Sequence, residues 1–275
     1  MRFTQTPLPR HPNLTRKSEE EKQMPQGGYG RIRVWDDFLG PDNDLTYGSG
    51  TVKVGNFGFV SVNEGSYEWT IDEPGGIVAI TLDTADNDNA ALFAGTFKPS
   101  DGGMTMEARF KFSTLNSAIF VGFTETLALG TPVMPAEFAT ATMSYNGSGG
   151  MIGLQMDLDG TTDDFRAVGG DAGTSSGATR AGDTVTNGIR GNQTITADEW
   201  YIARVEVYPD GTGTCLIGHD GGVAGDLKVV AEYTTAPITS TDLFYAVLMC
   251  ENRASAATVF EVDYMNAEGF RDWSV

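Results

Sequence analysis

The fold of this chain is decided by residues 199–211, which read EWYIARVEVYPDG. Alternate positions of residues 201–207 are apolar, and the charged Arg204 and Glu206 stand between them. Such period-two alternation predicts a strand with one face in a core. The Asp210-Gly211 pair that follows is typical of a tight turn, because glycine readily adopts the positive φ that hairpins require. The stretch therefore predicts a half-buried strand that turns back into a partner strand.

The same alternation recurs along the chain. It marks residues 104–112, 119–123 and 260–264, and we expect 119–123 to be a partner strand after the turn-prone Asn116-Ser117. Residues 244–249 are mostly apolar on both faces, which predicts a strand covered on both sides. Turn sequences separate these stretches: Pro74-Gly75-Gly76, Asp101-Gly102-Gly103, Asn146-Gly147, Asp159-Gly160, Asp210-Gly211 and Asp220-Gly221-Gly222. The body of the chain is predicted to be all-β.

Two segments depart from this pattern. Residues 131–141 predict a short helix that begins at Pro135, because proline is favoured in the first turn of a helix. Residues 169–194 are rich in Gly, Ser, Thr and Asn, and they predict a long loop of the kind that is often functional.

Two of these strands carry a family resemblance. Residues 199–207, followed by Pro209-Asp210-Gly211, resemble the concanavalin A-like lectin/glucanase jelly rolls, in which a Trp-Tyr pair opens a strand across the sandwich. Residues 260–264 resemble the closing strand of that family, and residues 92–123 resemble the hairpin of its convex sheet. The resemblance covers residues 75–270 and implies an antiparallel jelly-roll β-sandwich.

A second resemblance rests on overall composition rather than on a motif. The opening Trp35-Asp36-Asp37-Phe38 and the loops rich in Gly, Thr and Asp are similar to virion proteins of tailed bacteriophages. Such proteins decorate capsids or build tails and fibres, so the resemblance implies a structural role.

The N-terminal segment has the opposite charge to the body. Residues 1–33 hold seven basic residues against three glutamates, a charge of +4. Because the whole chain has a net charge of −19, residues 34–275 have a net charge of −23. The segment contains four prolines and almost no apolar periodicity, so it cannot build a core of its own. We expect residues 1–33 to form an extended basic arm and residues 34–275 to form one jelly-roll domain.

Composition excludes several functional classes. A charge of −19 disfavours nucleic acid and anionic membranes as partners. No apolar run reaches the length of a transmembrane helix, and the N-terminus lacks the apolar region of a secretory signal, so synthesis in a host cytoplasm is expected. Cys215 and Cys250 are far apart and are predicted to be buried thiols.

The carboxylates do not form a recognisable catalytic set. Glycosidases of this fold use three alternating acids, whereas Glu261/Asp263 and Asp157/Asp159 each provide only two. We expect the first pair on the solvated face of a strand and the second in an acidic turn. His219 lies in a glycine-rich turn and is a poor candidate base. No catalytic residue is predicted, and the chain is not expected to be an enzyme.

Two acidic clusters offer oxygen ligands of the kind that Ca²⁺ prefers. One consists of Asp157, Asp159, Asp163 and Asp164, and the other spans residues 83–89. Neither matches the EF-hand pattern, and a polar turn in an acidic protein is the favoured interpretation of each. Any calcium here is expected to be structural, and no other cofactor is predicted.

The leading hypothesis is a virion structural protein, a capsid decoration or cement subunit. It would bind the major capsid protein and copies of itself through the cationic residues of the arm: Arg10, Arg16, Lys17, Arg31 and Arg33. A carbohydrate-binding module of a phage head or tail is the first alternative, with Trp69, Trp200 and Trp273 as stacking surfaces, although Trp200 is expected in the core. A glycoside hydrolase of the same fold is the second alternative.

Overall fold

The computed structural model describes residues 30–38, 50–62, 65–70, 76–128, 132–139, 142–145, 149–160, 164–171, 174–175, 189–219, 227–254 and 257–271. Within these ranges, the chain is built almost wholly of strands, apart from one 3₁₀ turn at Pro99–Asp101. The strands are β1 (Arg31–Asp36), β2 (Gly50–Val54), β3 (Phe57–Ser61), β4 (Ser66–Trp69), β5 (Val78–Thr81), β6 (Asn89–Phe97), β7 (Met104–Phe112), β8 (Ser117–Thr124), β9 (Ala136–Ala139), β10 (Thr142–Tyr145), β11 (Met151–Asp157), β12 (Asp164–Asp171), β13 (Thr174–Ser175), β14 (Ile189–Thr194), β15 (Tyr201–Val207), β16 (Gly213–His219), β17 (Lys228–Tyr233), β18 (Phe244–Asn252) and β19 (Val259–Phe270).

Apart from the two-stranded β9–β10 sheet, the described strands form two antiparallel sheets packed face to face. Sheet A has the order β17-β16-β15-β7-β19-β5-β4, and β1 also pairs with β19. Sheet B has the order β13-β12-β11-β8-β18-β6-β3-β2, and β14 also pairs with β12. One large core of buried side chains lies between the sheets. The predicted all-β antiparallel sandwich is confirmed.

Strand β15 behaves as its alternation predicts. Its apolar positions are buried, whereas the positions between them are half-exposed on the outer face of sheet A. Tyr201 stacks on Phe112 of β7 with ring centroids 5.9 Å apart, and its hydroxyl bonds to the backbone of Thr196. Burying one such side chain contributes about 1.5–3 kcal/mol to stability. β15 is therefore a central support of sheet A.

Strands β7 and β8 are consecutive in sequence but lie in different sheets. β7 pairs with β15 and β19 in sheet A, and β8 pairs with β11 and β18 in sheet B. The prediction that residues 119–123 form the partner strand of residues 104–112 is therefore wrong. All eight residues of β8 are buried, because a second apolar cluster covers the outer side of sheet B.

That cover is the β9–β10 hairpin, where the sequence predicted a helix from Pro135. The segment alternates instead, with Ala136 and Phe138 buried against sheet B and Glu137 half-exposed between them. The backbone N–H of Phe138 donates to Asp157 at the end of β11, which anchors the hairpin. The helix prediction is wrong because the apolar face that this segment covers is built from distant strands.

The predicted loop at 169–194 is shorter than expected. β12 continues to Asp171, and β13 and β14 add strands at Thr174–Ser175 and Ile189–Thr194.

The two cysteines are buried and free, as expected, and burial raises the pKa of both thiols.

The predicted boundary at residue 33 falls inside β1. This strand pairs with β19 over its whole length, and Ile32 and Val34 pack against the core. The physical reason is that residues 31–36 alternate between exposed and half-buried positions, as an edge strand does. Residues 1–29, including Arg10, Arg16 and Lys17, lie outside the described residues.

Candidate functional site

The outer face of sheet A carries polar side chains in continuous rows across neighbouring strands. Successive side chains of a strand point to opposite faces, so every second position of β15, β7, β19 and β1 faces outward. One row consists of Glu206, Thr105, Glu268 and Arg33, which are directly paired from strand to strand. The next row consists of Arg204, Glu107, Asn266 and Trp35.

These rows run through an open groove of about 640 Å³, which we call the row groove. Its walls combine carboxylate, guanidinium, amide and hydroxyl groups with aromatic rings at one end. The lining residues are Arg31, Gly102, Gly103, Met104, Thr105, Glu107, Arg204, Glu206, Val207, Tyr208, Pro209, Asn266, Glu268, Gly269 and Phe270.

A glycine pair shapes the aromatic end of the row groove. Gly103 has a φ of +93°, and a Cβ there would lie 2.9 Å from the carbonyl oxygen of Val207. Gly102 has a φ of +141°, and a Cβ there would lie 2.8 Å from the ring of Phe270. Both positions need glycine, because a side chain would meet steric conflict as well as unfavourable backbone dihedrals.

The carboxylates of the row groove are paired with cations or a phenol. Arg204 contacts Glu206 at 2.7 Å and Glu107 at 3.4 Å. The hydroxyl of Tyr264 donates to the other oxygen of Glu107 at 2.8 Å. Burial, and then this bond to a carboxylate, raise the pKa of Tyr264, so the phenol remains a donor at neutral pH. The arrangement holds the groove carboxylates in fixed positions.

Arg31 and Arg33, predicted to bind a partner protein, pair within the chain. Both guanidinium groups contact Glu268, Arg33 at 3.1 Å, and Arg33 also donates to the Oδ1 atom of Asn266 at 2.9 Å. Both arginine side chains are more than half exposed, so each pair contributes less than about 1 kcal/mol. Their role in this structure is to neutralise Glu268 at the edge of the row groove.

A second depression of about 380 Å³, the turn pocket, lies on the other side of Tyr208. The Tyr208 ring is 42% exposed and lines both depressions, and its hydroxyl lies 3.2 Å from the Thr214 hydroxyl. Hydrogen bonds from Thr212 lower the pKa of Asp210 and hold the turn. The turn pocket is lined by Tyr208, Asp210, Thr212, Gly213, Thr214, Glu232, Tyr233 and Thr234.

Comparison with solved structures identifies the architecture. The fold resembles that of a Lotus tetragonolobus seed lectin, with a TM-score of 0.52 and 7% identity over 88% of this chain and 100% of the lectin. The chain has the concanavalin A-like lectin fold. Peanut lectin, in a structure with a nine-residue peptide, gives a TM-score of 0.50 and 11% identity over 86% of this chain and 97% of that one.

A third solved structure matches nearly the whole of this chain. A protein of unknown function from Shewanella oneidensis MR-1 gives a TM-score of 0.52 and 13% identity over 98% of this chain and 100% of its own. No family model and no curated protein matches the sequence. Among the described residues, no helix has the length and apolar character needed to cross a membrane.

The tryptophans of the lectin-fold domain are distributed differently from the prediction. Trp200, expected in the core, lies half-exposed on the outer face of sheet A, over Arg109 at 4.3 Å and Lys111 at 5.1 Å. The alternation explains this, because Tyr201 points inward and its predecessor must point outward. Trp69 packs against the core and Trp35 is 43% exposed, whereas Trp273 lies outside the described residues.

The carboxylate pair on β19 is held by cations of β7. Glu261 contacts Lys111 at 2.7 Å, and Asp263 contacts Arg109 at 2.6 Å. All four side chains are partly exposed on the outer face of sheet A. In this structure, Glu261 and Asp263 are therefore members of surface ion pairs.

Asp157, the first member of the candidate calcium cluster, is paired with an arginine. The Arg253 guanidinium contacts both carboxylate oxygens of Asp157, at 3.0 and 2.7 Å, and the carboxylate of Glu251 at 2.7 Å. Asp157 also accepts the backbone N–H groups of Phe138 and Asp159. The charge partner of Asp157 is thus a guanidinium at the position that the sequence offered as a candidate Ca²⁺ ligand.

The other members of the cluster have different environments from that of Asp157. Asp159 is exposed in the turn after β11, Asp164 is buried on β12, and Asp163 lies outside the described residues. Within the part of the chain that the structure describes, no group of three or more His, Cys, Asp or Glu residues is arranged to hold a metal ion.

The second acidic cluster is tied to the same arginine. Arg253 donates to the side chain of Asn87 at 3.0 Å, and Asn89 donates to Glu251 at 3.2 Å. Sequence reasoning missed Arg253 and Glu251. The available signal was the abrupt change to Glu-Asn-Arg at residues 251–253, directly after an apolar strand.

Proposed function

We propose that the chain binds carbohydrate in the row groove. The observation that carries the proposal is the chemical mixture presented there in fixed positions. Glu206 and Glu268 offer acceptors, Arg204 offers donors, and Asn266 offers both, with the ring of Tyr208 at one end. A sugar hydroxyl both donates and accepts hydrogen bonds, and the apolar face of a sugar ring packs on an aromatic side chain.

The charges of the row groove favour a neutral sugar. Its lining includes three carboxylates and two guanidinium groups, a balance of −1, and the neighbouring Arg33 brings the sum to zero. A strongly anionic or cationic ligand would disrupt ion pairs that already exist, whereas hydroxyl groups can share the free donors and acceptors.

The fold adds general support. Two of the structures that share it are named as lectins, although similarity at this level of identity concerns architecture and fold alone does not define function. We therefore infer sugar binding from the side chains of the row groove itself.

A glycan array with the full chain tests the proposal. Thr105 lies between Glu206 and Glu268 in the row groove, so Thr105→Trp fills the groove without removing an ion pair. Val229→Trp is the matched control, because Val229 is 53% exposed on β17 and lines neither depression. We expect neutral glycans to bind the natural chain and the control, but not the Thr105 variant. Absence of any glycan binding, or equal binding by both variants, would refute the proposal.

An assembly role is a second candidate, which the charge asymmetry favours. Because Arg31 and Arg33 belong to β1, the segment before it holds five basic residues against three glutamates, a charge of +2 next to an acidic body. We propose that residues 1–29 attach the domain to acidic surfaces of neighbouring subunits in a virion. Deletion of these residues should reduce incorporation into particles, and unchanged incorporation would contradict this role.

A further inference from the structure

The row groove and the turn pocket lie on one continuous track. Strand pairing extends the row that contains Glu206 and Thr105 away from β1. Glu206 pairs with Thr214 on β16, and Thr214 pairs with Glu232 on β17. The complete row therefore crosses six strands and consists of Glu232, Thr214, Glu206, Thr105, Glu268 and Arg33. Five strand spacings of about 4.8 Å give a length of roughly 24 Å.

Tyr208 stands between the two depressions. Its ring lines both of them, and its hydroxyl is held next to Thr214 of the turn pocket at 3.2 Å. Two other partly exposed rings lie near the track: Phe270 on β19, at the same end of the row groove as Tyr208, and Trp35 on β1. Rings spaced along a polar track suit a ligand with repeated apolar faces and hydroxyl groups.

We infer that the site takes a linear oligosaccharide that lies across the strands, with sugar units on both sides of Tyr208. This inference rests on the proposed function and names its ligand class. A single sugar unit fits within the row groove alone, whereas a longer chain also reaches the hydroxyl groups and the carboxylate of the turn pocket. Affinity should therefore rise with chain length.

The test uses neutral linear oligomers of glucose, mannose and N-acetylglucosamine, from one to six units, titrated calorimetrically into the full chain. Glu232→Trp fills the turn pocket from an exposed position, and Val229→Trp adds the same bulk to the same strand outside it. For the oligomer type that binds, we expect the Glu232 variant to lose about tenfold in affinity for the longest chains, as loss of one or two hydrogen bonds gives. Its affinity for the shortest binding oligomer should not change.

The outcomes separate this inference from the proposed function. Equal affinity for short and long oligomers would overturn the extended site while leaving sugar binding in place. Equal losses for all lengths in the Glu232 variant would also overturn it, because the turn pocket would then not be a separate subsite. Absence of binding at every length would refute the proposed function itself. Unfolding temperatures of both variants must match that of the natural chain.

Discussion

Replacing Arg253 with glutamine is expected to lower the free energy of unfolding by about 3–5 kcal/mol at pH 8. The side chains of Arg253, Asp157 and Glu251 are 4%, 0% and 2% exposed, and both carboxylates contact the guanidinium at 2.7 Å. Glutamine would leave the two carboxylates buried without a counter-ion. The remaining hydrogen bonds, from backbone groups to Asp157 and from Asn89 to Glu251, do not supply the missing charge.

The loss should also depend on pH. Burial raises the pKa of Glu251 from 4.5 to about 7 even with Arg253 present, and removal of the guanidinium would raise this pKa further. At pH 5 this carboxyl group is protonated in the folded state of both chains, so only the pairing with Asp157 is lost and the destabilisation should shrink. The predicted difference between variant and natural chain is therefore larger at pH 8 than at pH 5.

Urea denaturation followed by tryptophan fluorescence measures both effects. Arg33→Gln is the control, because this arginine side chain is 56% exposed and its ion pair should contribute less than about 1 kcal/mol. A loss below about 1 kcal/mol for Arg253→Gln, or a loss that does not change between pH 5 and pH 8, would refute the reasoning.

Three further predictions concern the same structure. Glu251→Gln should raise the free energy of unfolding at pH 8 by roughly 2–3 kcal/mol and flatten its pH dependence, which denaturation at several pH values checks. In the natural chain, the raised pKa of the Glu251 carboxyl group stabilises the folded state below pH 4.5, and this stabilisation is lost as the pH rises through about 7. Glutamine does not ionise, so the variant should not show this loss. Gly103→Ala should lower stability by about 1–3 kcal/mol, since its φ is +93° and the added Cβ would meet the Val207 carbonyl, and an unchanged urea midpoint would contradict this. Incubation with the neutral oligomers should release no new reducing ends, because the groove carboxylates are held in ion pairs; release that disappears in Glu206→Gln would instead indicate a hydrolase.

Local patterns predicted the strands whose two faces differ in environment. Residues 201–207 and 104–112 alternate in sequence and are strands β15 and β7, because each has one face in the core and one face outside. The hairpin over sheet B could not be predicted in this way. Phe138 is buried only because distant strands provide an apolar outer face, and no local pattern shows such a partner.

The candidate site could not be predicted, because a single sequence does not show which strands lie side by side in a sheet. Alternation shows that Thr105 and Glu206 face away from the core, but not that β15, β7, β19 and β1 lie side by side. In the same way, Asp157 and Arg253 are 96 positions apart, and their contact depends on the ends of β11 and β18 lying on either side of β8 in sheet B. The acidic cluster was visible in the sequence, but its cationic partner was not.

A crystal structure of the full chain with a neutral linear oligosaccharide would show directly whether the row groove binds sugar. We predict sugar hydroxyl groups within hydrogen-bond distance of Glu206 and Asn266, with one sugar ring packed on Tyr208. Sugar bound elsewhere, for example at the half-buried Phe93 and Tyr245 rings on the outer face of sheet B, would contradict it.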